Sequence, residues 1–518
     1  MTRVVSLRPF GRSLVWAPTG SEARAFDEKA ISEHGISERS LMECAGRSAA
    51  HTLEKIFPKG EVLVFVGSGN NGRDGLILAR TLQAWGRKTR VFNSSGNSLD
   101  RGLDNAWPLE LAESEVTADE SSVIVDAILG TGIAGKPRQR QADAIRVINR
   151  SQSPVLSLDV PSGLDADTGK ALGEVVSADA TVAFGWPKLG TLLQGGRTKA
   201  GRLIAVEIGL PPGSVSAFSA ALVTPHWAMR MRPNRRDDSH KNSVGSLLLV
   251  AGQAGMAGAA VLAAQAALRG GVGQLRIVSD RENRAIIQGA VPEAIFLSLD
   301  DPQEIRNAAI NSDALAVGPG LGCSSEKGSL LGLLCGCIAG TPIVLDADGL
   351  NMAARGIGPT IEEWTSQGRV LLTPHLGEMT RLLGVSPEVV DSDRLVVTKE
   401  FSERTGATVL LKGLPSIIVP PVGPALVDSV ASSDLASAGI GDLLTGFAGA
   451  LLAQGLESDQ AGALALYMVG RAALRIDLGP SMTPTDILLE LPEVWKEQGE
   501  GESDLDLPFV TFDQDPPR

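Results

Sequence analysis

Apolar positions along this chain alternate between short unbroken runs and longer stretches with helical spacing. From Ser21 to Thr52 they recur at helical intervals, interrupted by Gly35 and Gly46, which predicts two amphipathic helices. Glu61-Val62-Leu63-Val64-Phe65-Val66 is then nearly continuous, the pattern of a strand buried on both faces of a parallel sheet. It runs into the polar, glycine-rich segment Gly67 to Gly75, and Leu76 to Trp85 returns to helical spacing. Further strands are predicted at Thr89 to Asn93, Ser122 to Asp126 and Pro154 to Asp159. The pattern lapses after Pro211 and resumes with the apolar run Ser246 to Val250, a glycine turn from Gly252 to Gly258 and a small-residue helix from Ala259 to Arg269. Later strand ends are expected near Val317, Asp346, Leu372 and Leu411, so the second half repeats the strand, turn, helix succession.

This alternation predicts an α/β protein of two domains, each with a largely parallel sheet between helical layers. The first spans 12–215 and is Rossmann-like; a linker follows at 216–235, and the second domain spans 236–499. Arg230, Arg232, Arg235 and Arg236 crowd the join, read as a solvated connector or a steering patch. The acidic, proline-ended tail 500–518 is expected to be disordered.

A length of 518 residues calls for roughly two to three cores. The 59 glycines and 4% aromatics suit tight strand–helix turns over cores of Val, Leu, Ile and Ala. A formal charge of −13 excludes broad nucleic-acid binding, yet leaves room for an anionic small substrate held by glycine loops and a few cations. Cys44, Cys323, Cys335 and Cys337 form no CxxC pair and have no nearby histidine, so reduced structural thiols are expected rather than zinc. No run of about 18 apolar residues occurs, so a cytoplasmic protein without membrane partners is expected.

In a parallel sheet the C-terminal strand ends share one edge, where ligands bind. Gly67, Gly69 and Gly72 fit G-x-G-x-x-G, which leaves a nicotinamide dehydrogenase open; that reading wants an acid after the second strand, and Thr89 to Asn93 ends in Asn. Asn71, Asp126, Asp159 and Ser162 all stand at strand ends. Each alone reads as a loop cap, but together they form an oxygen set suited to a hard cation. In the second half, Ala438-Gly439-Ile440-Gly441-Asp442 opens a helix whose first N–H groups can hold an oxyanion. Asp442 is then a candidate general base or an ordinary acid favoured by the helix dipole. Lys412-Gly413 with Ser416 offers a cation and a hydroxyl to phosphates, or a merely solvated strand end. His375, three residues before Glu378, fits a substrate hydrogen bond better than a metal site.

Gly69 to Gly75, Asp126 to Gly132, Asp159 to Gly169 and Phe184-Gly185-Trp186-Pro187-Lys188 resemble the NAD(P)H-hydrate epimerase family over roughly residues 20 to 215. The resemblance implies K+ at Asn71, Asp126 and Ser162. It also implies that the hydrated nucleotide lies against Asn70, Asn71, Gly72, Arg73, Asp74, Gly130, Thr131, Gly132, Ile133, Ala134, Gly135, Lys136 and Asp159, with Asp159 handling a proton. Arg73 departs from the family's usual Gly.

Residues 236 to 495 resemble the ADP-dependent NAD(P)H-hydrate dehydratase family, which is ribokinase-like. That resemblance implies ADP or ATP with Mg2+ at Lys412, Gly413, Leu414, Pro415, Ser416 and Gly441. It implies the hydrate at Gly320 or Gly322, His375 and Asp442, the last as base. Asn242, Ala431-Ser432 and Ile440 depart from the usual residues. Together the halves resemble bifunctional NAD(P)H-hydrate repair enzymes, which implies epimerisation at C6, nucleotide-dependent dehydration of the S epimer and a homo-oligomer. The alternative is a ribokinase-like small-molecule kinase fused to a nucleotide-binding or sensor domain.

Overall fold

A computed structural model describes residues 15–95, 108–112, 123–132, 135–213, 216–235, 244–430, 432–497 and 510–514. The chain forms two compact units, the first of residues up to Thr224 together with those from Gly501 onward, the second running from Pro225 to Glu500. In the first, the sheet order is Val510–Gln514, Arg202–Val206, Ala180–Phe184, Val155–Leu158, Val123–Ala127, Val62–Val66, Thr89–Asn93, Glu110–Leu111. All pairs are parallel except the outermost, Val510–Gln514 on Arg202–Val206. Val62–Val66 lies between strands that come later in the chain on both sides, so the strand order reverses there and a crevice opens at its C-terminal end. Every residue of Val62–Val66 is buried, which explains the unbroken apolar run.

The helix after this strand begins at Asn70, not at Leu76 as its spacing suggests. Gly69 caps it in an extended conformation, and the glycines within it are there because side chains have no room. A methyl on Gly72 would meet the Gly67 carbonyl oxygen at 2.1 Å, and one on Gly75 would meet Ala127 Cβ at 2.6 Å. The helix therefore packs tightly onto the strands and delivers Asn70, Asn71 and Asp74 in its first two turns.

Two expectations are corrected by packing. Residues 216–235 are not a plain linker: Ala220–Leu222 pairs antiparallel with Val15–Trp16, and Pro225–Met231 is helical with Trp227 and Ala228 buried. Its Arg232 is no solvated cation, because it donates to the carbonyls of Val494, Trp495 and Glu497 just past the helix Pro484–Val494. In the tail, Val510–Gln514 adds an edge strand by backbone pairing, which an acidic composition does not forbid. Asn242 and Ala431 lie outside the described residues.

The second unit's sheet runs Ala425–Val427, Ile417–Val419, Thr408–Leu411, Val370–Leu372, Ile343–Leu345, Ala314–Val317, Ser246–Val250, Gln274–Ser279, Ile295–Ser298. It is parallel up to Thr408–Leu411 and finishes in two antiparallel strands. The helix Ile440–Ala453 packs against Ala257–Arg269 so closely that a methyl on Gly446 would meet the Ala263 carbonyl oxygen at 1.8 Å. The small residues Ala260, Ala263, Ala264 and Ala267 are all buried at that face, as their spacing predicts.

Two candidate active sites

In the first unit a cavity of about 670 Å³ opens at the switch point, a size suited to a small-molecule ligand. Asn70, Asn71, Asp74, Gly130, Thr131, Gly132, Lys136 and Asp159 line it. Gly72, Arg73 and Gly135 do not, and Ile133 and Ala134 lie outside the described residues.

Asp159 follows the strand Val155–Leu158 with φ of 65°, a left-handed conformation that is strained for a residue with a side chain. Its Oδ1 takes Lys188 Nζ at 2.6 Å, and Lys188 also donates to the Phe184 carbonyl at 2.8 Å. Around this pair stand two further acids. Burial, opposed by Lys188 and reinforced by Asp159, pushes Asp27 up to about 6. Burial, with Asp159 adding to it, holds Asp74 well above the carboxylate range.

Beside the cavity, Asn71, Asp126 and Ser162 meet in the buried interior. Asn71 Nδ2 donates to the Leu129 and Leu158 carbonyls at 2.9 and 3.1 Å, while its buried Oδ1 has no partner. Asp126 accepts from Ser162 N at 2.8 Å, Ser162 Oγ at 2.5 Å and Ser157 Oγ at 2.9 Å. An orphaned amide oxygen beside a carboxylate and a hydroxyl fits a hard cation. Among the described residues no group of His, Cys, Asp and Glu has the makeup of a multi-carboxylate or thiolate metal site.

In the second unit, Lys412 Nζ lies 2.9 Å from Asp346 Oδ1, and Thr445 Oγ1 donates to Asp346 Oδ2 at 2.6 Å. Burial pulls Lys412 down, but Asp346 and Glu378 outweigh it and hold the ammonium above its ordinary range. Gly439, at φ 93°, makes the left-handed turn that starts the helix Ile440–Ala453. A methyl on Gly441 would come within 3.4 Å of Lys412 Nζ, so the anion-loop glycine and the lysine are neighbours. Burial first, then Asp346, raises Asp442 to about 7.

Gly322 N donates to Asp348 Oδ2 at 2.6 Å, which ties the Gly-Pro-Gly loop to a carboxylate that also acts on Asp442. Gly320 adopts φ 55° in the same loop. His375 caps the helix Leu376–Leu383: its Nδ1 accepts from Gly377 N at 2.9 Å, which leaves the proton on Nε2, and the ring is half exposed. Ser416 Oγ closes the Lys412–Ser416 turn onto Gly413 N at 3.2 Å, and Leu414 is exposed. Ile440 turns into the core rather than toward the loop's ligand side.

Several contributors had no assigned role in the sequence. Asp346 carried the signal that marked Asp126 and Asp159, an acid ending an apolar strand. Arg394 carried none: from a helix 18 residues upstream, its guanidinium donates to the Lys412 carbonyl at 3.0 Å and covers Gly413, where a methyl would meet it at 2.2 Å. Asp27 is one acid on an amphipathic helix, and Lys188 only closed a motif.

Residues 38–190 match a family model described as YjeF-related protein N-terminus, and residues 247–493 one described as NAD(P)H-hydrate dehydratase. The bifunctional NAD(P)H-hydrate repair enzyme of Salinibacter ruber is 36% identical over 93% of this chain and 97% of its own length. The chain belongs to the bifunctional NAD(P)H-hydrate repair enzyme family. The repair enzyme of Escherichia coli K12 is 33% identical over 87% of this chain and 88% of its own. A ribokinase-like superfamily protein from Enterococcus faecalis covers 53% of this chain and 95% of itself with a TM-score of 0.50 at 22% identity, which shows the fold of the second unit. The first unit is thus the epimerase half of a repair enzyme and the second its dehydratase half, and the kinase–sensor alternative is set aside.

Proposed function

We propose that the two sites act in series on hydrated NADH and NADPH, the first interconverting the C6 epimers and the second dehydrating the S epimer with ADP or ATP. The observation that carries this reading is the Lys412–Asp346 pair beside Asp442 at a helix N-terminus, the parts that phosphoryl transfer needs. Lys412 and the N–H groups of Gly439 and Gly441 hold the transferring phosphoryl group. Asp442, poised near neutrality, takes the C6 hydroxyl proton as that oxygen receives the phosphoryl group, and loss of phosphate and a C5 proton restores the dihydropyridine. Mg2+ arriving with the nucleotide supplies charge neutralisation, and Asp346 and Asp442 are oxygen donors of the kind it accepts. Gly320, Gly322 and His375 orient the hydrate.

In the first unit, Asp159 pairs with Lys188 at the edge of the cavity in which the ring reacts. Asn71, Asp126 and Ser162 would hold K+, which would supply fixed positive charge beside the cavity. A cytoplasmic homo-oligomer completes the reading; its four thiols are all unpaired, in keeping with a reducing compartment.

Incubation of the S hydrate of NADH with ADP tests it. Recovery of the NADH absorbance band in step with nucleotide use is expected. Nucleotide consumed without recovery would sink the dehydratase assignment.

A further inference from the structure

Three aspartates line the epimerase cavity in three different settings. Asp159 is committed, taking Lys188 at 2.6 Å and Phe184 N at 3.4 Å. Asp74 is 8% exposed and Asp27 stands on the helix Gly20–Ser32; both line the cavity, and neither makes a hydrogen bond among the described residues. Asp27 is half-buried; for the more deeply buried Asp74, a carboxyl without a partner costs stability, which marks a group kept for a ligand.

We propose that Asp27 accepts the C6 hydroxyl proton in this cavity and that Asp74 supplies the proton taken by the ring nitrogen. The proposal rests on the epimerase reading above. C6 carries both the hydroxyl and N1, so its configuration is erased when the C6–N1 bond breaks. The hydroxyl proton passes to the Asp27 carboxylate, the C–O bond becomes a carbonyl, and the C6–N1 electron pair goes to N1, which takes the Asp74 proton. Rotation about the C5–C6 single bond presents the other carbonyl face. Attack by N1 then returns one proton to Asp74 and draws the other from Asp27 onto the hydroxyl. No proton, electron or co-reactant is consumed.

The electrostatics support these roles. Asp27 is mostly ionised at neutral pH, since burial and Asp159 raise it only to about 6 against the pull of Lys188, with Glu28 next to it on the same helix. Asp74 faces Asp159 and Asp27, and burial first, against Lys188 and Arg73, raises it well above the carboxylate range, which favours its protonated form. The cavity's other charged groups are Arg24, Glu38, Lys136 and Arg138. Two acids pushed apart by their surroundings form an acid–base pair.

The test supplies purified R and S hydrates separately to the full chain with ADP and takes the ratio of R to S repair rates. The parent should repair both; failure on the R hydrate would remove the epimerase reading itself. Asp27→Asn should lower the ratio about 100-fold, the lower range for a lost acid–base group. Asp27→Glu should regain at least a tenth of the parent ratio, and the acid limb of the R profile, centred in the parent at about 6, should disappear in Asp27→Asn. A ratio near the parent's in Asp27→Asn, or equal losses in Asn and Glu variants, would overturn the role.

Discussion

Both units place a lysine against an aspartate and set beside the pair a further carboxyl raised by burial, yet they build this in different ways. In the dehydratase half Lys412 and Asp346 are held by Thr445, Gly441 and Arg394, and the acid Asp442 lies on the first turn of the helix Ile440–Ala453, which a left-handed glycine opens. In the epimerase half Asp159 sits in strained backbone, the helix opening at Asn70 is capped by Gly69 at φ −92° rather than by a left-handed glycine, and a buried amide oxygen has no partner among the described residues. The first arrangement suits a reaction in which a dianionic group must be neutralised and placed. The second suits one in which only protons move. Shared chemistry, a hydroxyl at C6, calls for a titratable acid in each; the difference lies in what stands opposite it.

The largest effect that separates the halves is expected from Asp442→Asn. S-hydrate turnover should fall about 10³-fold, within the range of a lost general base, while nucleotide affinity measured by calorimetry stays within a few-fold. Normal turnover would show that Asp442 is only a helix-end acid. In the other half, Asp126→Ala should lower R-hydrate repair by about 10–100-fold, the usual cost of disturbing a cation's surroundings. Omitting K+ should mimic it, with S-hydrate repair unaffected by the salt change. Equal sensitivity of both epimers to K+ would remove the distinction.

A smaller effect is expected where Arg394 covers the nucleotide loop. Gly413→Ala forces the guanidinium and the Lys412 carbonyl apart and should raise the KM for ADP about tenfold through misplacement of the loop. The melting temperature should change little.

The smallest is a stability effect with a definite sign. Asp442 is raised in the folded protein from 3.8 to about 7, so its favourable contribution is complete below 3.8 and is lost as pH rises through about 7. Asp442→Asn should therefore melt a few degrees above the parent at about pH 8, and the gain should shrink as the pH falls toward 5. The same titration predicts dehydratase turnover that rises with pH through about 7, because the base must be ionised.

The strands and the ligand-bearing edges were legible because they are local: an apolar run, then glycines, then a polar residue at the strand end. Asp126, Asp159 and Lys412 end apolar strand runs, while Asn71 and Asp442 open helices just after glycines. Asp27 and Arg394 do neither, because each projects from a helix and reaches its site only through packing of residues far away in sequence. The start of the helix at Asn70 was hidden for a related reason. Gly72 and Gly75 look like loop residues until the neighbouring Gly67 carbonyl and Ala127 show why no side chain fits. The edge strand Val510–Gln514 was missed because backbone pairing asks little of composition.

The most direct test of a chain that carries both halves of the repair is a mixed pool of R and S hydrates of NADPH given ADP, Mg2+ and K+. The predicted result is recovery of the full absorbance in the parent, and a halt at the S fraction when Asp126 is replaced by Ala. A parent that halts at the S fraction, or an Asp126→Ala enzyme that clears both epimers as fast as the parent, would contradict the account.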